Sequence, residues 1–247
     1  MPGTLASGSS VEVFDTLDST SLEAKRRVAA GAVGPLWIIA LKQTGGYGRR
    51  GSAWTQEVGD VAATFLFEPR AAPERLPELS FVAALAVWDA VRRYAPGADI
   101  EVKWPNDILV GGGKIAGLLL ELITSPNGPL IALGVGVNVV SAPKNLAYPA
   151  ARLIDWAKSA PEPRRFVETL DESFAAWLAI WRREGFSAIR EAWLQRANGL
   201  GERIKVRLEN ETIEGEFVDL DLSGALILEC AGERRAIAAG AVLPPAA

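Results

Sequence analysis

Short apolar or alternating runs, separated by glycine, proline and polar residues, occupy most of the chain between residues 11 and 139. Runs of this length and pattern are typical of strands in a sheet with at least one buried face. The triple glycine at 111–113 separates two of these runs and predicts a hairpin turn between them. The predicted strands cover 11–14, 36–41, 61–67, 100–104, 108–110, 114–123 and 130–139.

Apolar residues at helical spacing interrupt and follow the strand patterns. The first helix is predicted from the spacing of Thr20 and Glu23, which suits a capping box, and it should end at Gly31. Aromatic residues on one face of the segment that begins at Pro163 indicate a helix packed on a core rather than a ligand-binding box. The predicted helices cover 20–30, 76–94, 163–186 and 187–197.

The pattern changes at Gly199 and Gly201, after which short strands alternate with polar turns and no helix is indicated. We therefore expect two domains, at 1–198 and 199–247, with the small second domain docked on the first. The first should be an α+β domain, a mixed and largely antiparallel sheet with helices packed on one face. The predicted strands of the second domain cover 204–208, 212–220, 225–230 and 234–238.

The composition is that of a soluble globular protein, with 49% hydrophobic and 23% charged residues. A net charge of −4 excludes an overall basic field for nucleic acid, so any anion site must be local. The chain has no histidine, which excludes Ser-His-Asp catalysis and His-containing zinc sites. The single cysteine, Cys230, reads as a small core residue and fits a reducing cytoplasm. No signal peptide and no apolar run of about 20 residues is present.

A glycine- and arginine-rich run extends from Gln43 to Trp54. Its glycines allow backbone N–H groups to converge on an anion, and Arg49 adds a permanent forked charge. Residues 46–51 formally match G-x-G-x-x-G, but the apolar helix of a dinucleotide fold does not follow, and no Gly-Lys-Ser/Thr of a P-loop ends the run. Taken alone, the run would suit a solvated loop with incidental arginines better than an anion site.

The second polar run is Lys103-Trp-Pro-Asn-Asp107, and a glycine turn leads from it to Lys114 at the start of an apolar strand. Proline restricts the backbone there and sets the directions of the amide and carboxylate that follow. A partly desolvated lysine is a suitable counter-charge where a carboxylate meets a phosphate. The alternatives are an ordinary β-turn and a lysine that protects a strand edge.

A third motif, Gly134-Val-Gly-Val-Asn138, places two glycines on one face of a predicted strand. The missing side chains allow the close approach of a flat ligand, or equally the packing of a helix.

These motifs, together with Ser19-Thr20, occur in the order in which they occur in the biotin protein ligases, which the chain resembles over essentially its whole length. The resemblance implies the class II synthetase-like fold of that family and an SH3-like fold for the second domain. It also implies two reactions. Biotin and Mg-ATP give biotinyl-5′-AMP and pyrophosphate, and a lysine of a biotin carboxyl carrier domain then takes the biotin and releases AMP.

The resemblance assigns roles to particular residues. Lys114, Arg49 and Asp107 are expected to be catalytic, with Asp107 orienting or deprotonating the acceptor lysine. ATP, biotin and Mg²⁺ are the implied ligands, and no metal ligand is assigned. The expected biotin-binding residues are Ser19, Thr20, Gln43, Gly46, Tyr47, Arg49, Lys114, Gly117 and Gly134. The expected ATP-binding residues are Arg49, Trp54, Lys103, Asn106, Asp107, Lys114 and Asn138, with Trp54 packed on adenine.

Three positions depart from the family pattern: Ser21 replaces a common asparagine, and Tyr47 and Ser52 each replace a common arginine. We expect a weaker hold on the intermediate, or compensation by Arg50 and Lys42. We also expect the loop at 45–53 to be disordered without ligand, because its glycines lose much entropy on ordering.

Alternative functions are a lipoate or octanoate ligase of the same superfamily and a biotin-binding protein without catalysis. A repressor is disfavoured, because only about ten residues precede the first strand and leave no room for a DNA-binding domain. The sequence thus predicts a stand-alone cytoplasmic ligase that acts on the carrier domain of acetyl-CoA carboxylase or a related biotin enzyme. It predicts no nucleic-acid or membrane partner and leaves a homodimer open.

Overall fold

The computed structural model describes residues 4–144 and 148–244 and contains two sheets. The larger sheet has seven strands in the order β1-β2-β3-β7-β6-β5-β4. Its strands are β1 (Ser10–Phe14), β2 (Leu36–Ala40), β3 (Val61–Phe67), β4 (Ile100–Lys103), β5 (Asp107–Val110), β6 (Gly113–Ser125) and β7 (Gly128–Val137).

The larger sheet is mixed, as the sequence predicted. Strands β1 and β2 are parallel, and every other neighbouring pair is antiparallel. At the predicted hairpin between β5 and β6, Gly111 has φ of 55° and Gly112 has φ of 77°. Two successive positive φ values suit the tight turn that matches strand twist, and glycine adopts them without steric cost.

The helices begin and end close to the predicted positions, with one shift at the second helix. Residues Pro73–Glu78 form a 3-10 helix that contains Pro77, so the α-helix starts at Leu79 instead of 76. No helix among the described residues is long and apolar enough to cross a membrane. The helices are α1 (Thr20–Ala29), α2 (Leu79–Tyr94), α3 (Pro163–Glu184) and α4 (Phe186–Leu194).

Helices cover both faces of the larger sheet, which corrects the expectation that they pack on one face. Strand β2 is buried at all five positions. Trp37 and Ile39 join the core formed with α2 and α3, whereas Leu36 and Ile38 pack with Ala24 of α1. Because successive strand residues point to opposite faces, α1 lies on the face opposite to α2 and α3.

The start of α1 also corrects the predicted capping box. Ser19 is the N-cap residue and Thr20 is the first helical residue. The hydroxyl of Thr20 bonds Gln43 Oε1 at 3.2 Å, while the carboxylate of Glu23 pairs with Arg26 and Arg27. Thr20 is therefore engaged with the neighbouring loop and is not free to cap the helix.

The second, five-stranded sheet has the order β11-β10-β9-β8-β12. It contacts the main domain through hydrogen bonds from Trp104 Nε1 to Gly224 O at 3.1 Å and from Arg190 Nε to Leu220 O at 2.6 Å. The two-residue β12 was not predicted, because so short a segment carries no pattern. The strands of this second sheet are β8 (Arg203–Arg207), β9 (Thr212–Leu220), β10 (Leu226–Cys230), β11 (Glu233–Ile237) and β12 (Ala241–Val242).

A fully buried carboxylate, Asp171 of α3, ties the N-terminal segment to the core. It accepts hydrogen bonds from Ser7 N at 2.8 Å, Ser9 Oγ at 3.1 Å and Trp37 Nε1 at 2.7 Å. Asp171→Ala leaves these buried donors without an acceptor, so we expect the free energy of unfolding to fall by about 2 kcal/mol in urea denaturation. Glu172→Ala removes only an exposed pair with Arg93 and should change the same quantity little.

Candidate active site

A cavity of about 530 Å³ opens on the face of the larger sheet that carries α1. Its walls are the N-terminal end of α1, the glycine- and arginine-rich loop, the β4–β5 hairpin and the start of β6. The second sheet closes one side with Arg207, Gly240 and the two residues of β12. The cavity therefore lies where both domains meet.

Glycines on β6 and β7 form the floor of the cavity. Gly117 and Gly136 are cross-strand partners, and Gly134 is the next residue on the same face of β7. A methyl group on Gly134 would lie 3.1 Å from Ser21 Oγ of α1, and one on Gly136 would lie 2.3 Å from the ring of Trp54. The missing side chain at Gly134 thus admits the helix, as one interpretation proposed, and the missing side chain at Gly136 admits the ring of Trp54. The close approach of a flat ligand stays a prediction.

A buried cluster of hydroxyl and amide groups lines the cavity beside the helix start. Gln43 Oε1 accepts hydrogen bonds from Thr20 N at 2.8 Å and from the Thr20 hydroxyl. The hydroxyl of Thr64 donates to the Thr20 oxygen at 2.8 Å and lies 3.3 Å from Ser21 Oγ. Such a cluster can orient a small polar group by hydrogen bonds while the glycine floor receives its apolar part.

Two lysines and one carboxylate form a charged cluster at the β4–β5 side of the cavity. Lys114 Nζ lies 2.6 Å from Asp107 Oδ1, and both side chains are largely buried. Lys103 is 7% exposed and makes no ion pair among the described residues. Burial lowers the pKa of Lys103, with nearby Asp107 opposing the shift and Lys114 adding to it. The cavity has more cationic than anionic groups here, which suits a ligand with negative charge.

The β4–β5 hairpin and the end of β7 hold these charges in place. Lys103 and Asp107 are directly paired across the hairpin. Asn138 is 3% exposed, and its Nδ2 donates to Lys114 O at 3.2 Å and to Ala151 O at 3.1 Å. Asn138 therefore fixes the backbone of Lys114, a supporting contact that the sequence did not predict.

The glycine- and arginine-rich loop lies closed over the cavity. Arg49 Nη1 donates to Asn106 Oδ1 at 3.3 Å and to Gly240 O at 3.4 Å, so the loop contacts both domains. The indole of Trp54 rests on Gly117 and Gly136. Its Nε1 is buried and has no hydrogen-bond partner among the residues that the structure describes. An adenine could stack only on the opposite face of this indole. Disorder of the loop without ligand stays a prediction, and it concerns the fraction of molecules in which the loop has left this closed arrangement.

Nearly all of the predicted site residues lie around this one cavity. Gly46 is the exception, because the Gln43 side chain and the Trp54 carbonyl cover it. Of the two residues expected to compensate for missing arginines, Arg50 lines the cavity and Lys42 is not among the described lining residues. The predicted residues that line it are Ser19, Thr20, Gln43, Tyr47, Arg49, Trp54, Lys103, Asn106, Asp107, Lys114, Gly117, Gly134 and Asn138.

Tyr148 and Arg207 also line the cavity but carried no recognisable signal in the sequence. The Tyr148 ring centroid lies 4.9 Å from Lys103 Nζ and 5.7 Å from Lys114 Nζ, distances that suit cation–π contacts. Arg207 comes from the second sheet, and only the docking of that sheet brings it to the site.

Comparisons with known proteins agree with the fold and the motifs. Residues 13–138 match the family model of the biotin/lipoate A/B protein ligases, and residues 199–243 match that of the biotin protein ligase C-terminal domain. The chain is 40% identical over 234 residues to a biotin–[acetyl-CoA-carboxylase] ligase of Paracoccus denitrificans, covering 91% of this chain and 96% of that protein. It is 32% identical over 242 residues to the Mycobacterium tuberculosis protein of the same name, covering 94% and 88%.

A biotin protein ligase from Aquifex aeolicus, solved in complex with biotin and ATP, shares the fold. The TM-score is 0.81 at 23% sequence identity, over 94% of this chain and 97% of that chain. The predicted α+β fold with its small C-terminal β-domain is thereby confirmed. The chain belongs to the biotin protein ligases of the biotin/lipoate A/B protein ligase family.

Proposed function

We propose that this ligase activates biotin with ATP as biotinyl-5′-AMP and then transfers biotin to a lysine of a biotin carboxyl carrier domain. The observation that carries the proposal is the placement of Lys114 and Lys103 at one cavity with the polar cluster of α1 and the glycine floor. The carrier of acetyl-CoA carboxylase is the acceptor we expect, since two relatives carry that name.

The first reaction must bring a carboxylate and a phosphate together. Lys114 is placed to leave Asp107 and bridge the two anions, which lowers the energy of the charge that develops between them. Lys103 adds a buried positive charge on the same side, and burial strengthens its field because little water screens it. Arg49, from the loop, would clamp the adenylate phosphate or the biotin carboxylate.

We assign the biotin ring to the cluster of Ser19, Thr20 and Gln43, which would bond the ureido group. The floor at Gly117 and Gly134 would lie beneath the body of the ligand, since both glycines line the cavity and present no side chain to it. Tyr47 lies at the edge of this slot.

The nucleotide is assigned to the side of the cavity that Trp54, Asn106 and Asp107 line. Among the described residues, no group of three or more cysteines or acidic residues could hold a metal ion. Mg²⁺ characteristically binds through one or two carboxylates and substrate phosphates, so it fits here as an ion that ATP brings. Its charge would neutralise the departing pyrophosphate.

Asp107 is assigned to the transfer step. Once Lys114 turns to the anions, the Asp107 carboxylate becomes free to accept a proton from the acceptor lysine or to orient it. Asp107→Asn should slow transfer to a carrier domain at neutral pH about tenfold more than it slows biotin-dependent pyrophosphate release. The slowing should diminish as the pH approaches the pKa of the acceptor lysine. Equal loss of both reactions would contradict this role.

The choice of acid can be tested directly. We expect ATP–pyrophosphate exchange with biotin and not with lipoate or octanoate. Exchange with lipoate or octanoate and not with biotin would make the chain a lipoate or octanoate ligase. No exchange with any of the three acids would indicate a binding protein without catalysis.

A cytoplasmic location is proposed because ATP and carrier domains are found there. The sequence left a homodimer open, and the oligomeric state stays open here.

A further inference from the structure

Tyr47 of the loop makes a three-way polar contact outside the cavity. Its hydroxyl lies 3.2 Å from Lys25 Nζ and 3.1 Å from Glu121 Oε2, and Lys25 and Glu121 pair with each other at 2.9 Å. Lys25 lies on α1 and Glu121 on β6. The contact thus joins the loop to two elements on the same face of the sheet, and neither Lys25 nor Glu121 is among the cavity-lining residues.

Tyr47 lies at a position from which this contact can restrain the whole loop. Tyr47 forms a backbone bridge with Ala53, and Gly48 N donates to Ser52 O at 2.7 Å, so the loop is a narrow double-stranded arm. Arg49 lies near its tip, and Trp54 lies at its base. Holding one side of the arm therefore holds both residues over the cavity.

The energetics suit a reversible contact. Glu121 is 21% exposed and Lys25 41% exposed, so solvent weakens their attraction. The Lys25 pKa is raised by its hydrogen bond to Glu121, and burial raises the pKa of Tyr47, so both keep their protons at neutral pH. The phenol then donates to the carboxylate, a hydrogen bond to a charged group that exceeds an ordinary neutral one in strength.

We propose that Lys25 and Glu121 are positioning residues that hold Tyr47 and thereby keep the loop closed over the bound intermediate. This inference rests on the proposed function and deepens it. The contact acts on the loop and not on the phosphate, so it retains the adenylate without requiring an arginine at position 47. It should govern the release of biotinyl-5′-AMP and leave the rate of its formation unchanged.

The test compares Tyr47→Phe, Glu121→Gln and the double variant, with Tyr94→Phe as the matched control. Tyr94 loses a hydroxyl that contacts Thr169 and Arg165 O, remote from the cavity. Tryptic cleavage after Arg49 or Arg50 in the ligand-free protein should become about threefold to tenfold faster in each single variant. Dissociation of biotinyl-5′-AMP should accelerate by a similar factor. In Glu121→Gln, whose side chain does not line the cavity, single-turnover formation should be unchanged.

The double variant should be no worse than Tyr47→Phe alone, because Tyr47→Phe already removes the hydrogen bond that Glu121→Gln weakens. Unchanged cleavage and dissociation in Tyr47→Phe would overturn the inference, as would strictly additive effects in the double variant. Thermal unfolding should be the same in all variants, so a general loss of stability would also overturn it. The cleavage measurement requires no ligand, so it decides the inference even if biotin is not the substrate.

Discussion

Lys114→Ala should lower biotin-dependent pyrophosphate release by about a thousandfold, the upper end of the loss for removing one preorganised charge at a developing anion. The ammonium lies at 2.6 Å from Asp107 in a largely buried position, so its charge is poorly screened. Its removal leaves the carboxylate of Asp107 facing two incoming anions. The variant therefore loses a favourable charge and retains an unfavourable one, and kcat should fall more than KM rises.

Two comparisons separate this effect from a loss of structure. Lys158→Ala removes an exposed lysine that does not line the cavity, and its activity should equal that of the unaltered protein. The Lys114→Ala/Asp107→Ala double variant should be no less active than Lys114→Ala in pyrophosphate release, because it no longer holds an unpaired carboxylate. An activity of Lys114→Ala within tenfold of the unaltered protein would contradict the assigned role.

Arg49→Ala should lower kcat/KM for ATP by about a hundredfold, since one charged donor is lost from a preorganised site. Arg49 holds the loop to Asn106 and to Gly240, so its loss also releases the contact between the loop and the second domain. Arg49→Lys should recover only part of the activity, because a lysine cannot present the fork of donors that matches a phosphate.

The control for Arg49 is Arg70→Ala, which removes an exposed arginine that pairs with Glu68. It should leave kcat/KM for ATP unchanged. Full activity in Arg49→Lys would mean that charge alone matters at this position. Full activity in Arg49→Ala would contradict the role of Arg49 in binding ATP.

The sequence predicted the strands with the clearest patterns and the motifs that depend on local spacing. Strand β3 was predicted at 61–67 and occupies Val61–Phe67, because seven buried residues between polar boundaries leave little choice. The spacing of Lys103 and Asp107 around Pro105 indicated a turn, and the structure pairs the two residues across a hairpin.

Features that arise from tertiary contacts could not be predicted in this way. The place of Gly46 behind the cavity depends on how the Gln43 side chain folds back. Arg207 reaches the site only through the docking of the second sheet. The contact of Lys25 with Glu121 joins residues that are 96 positions apart, and each alone reads as an ordinary surface charge.

The central claim is that this cavity carries biotin from ATP-dependent activation to a carrier lysine. The most direct measurement is mass spectrometry of a purified biotin carboxyl carrier domain after incubation with the enzyme, biotin and Mg-ATP. We predict one added biotinyl group on its acceptor lysine, dependent on ATP and lost in Lys114→Ala. An unmodified carrier with biotin, together with modification of a lipoyl domain by lipoate or octanoate, would contradict the account.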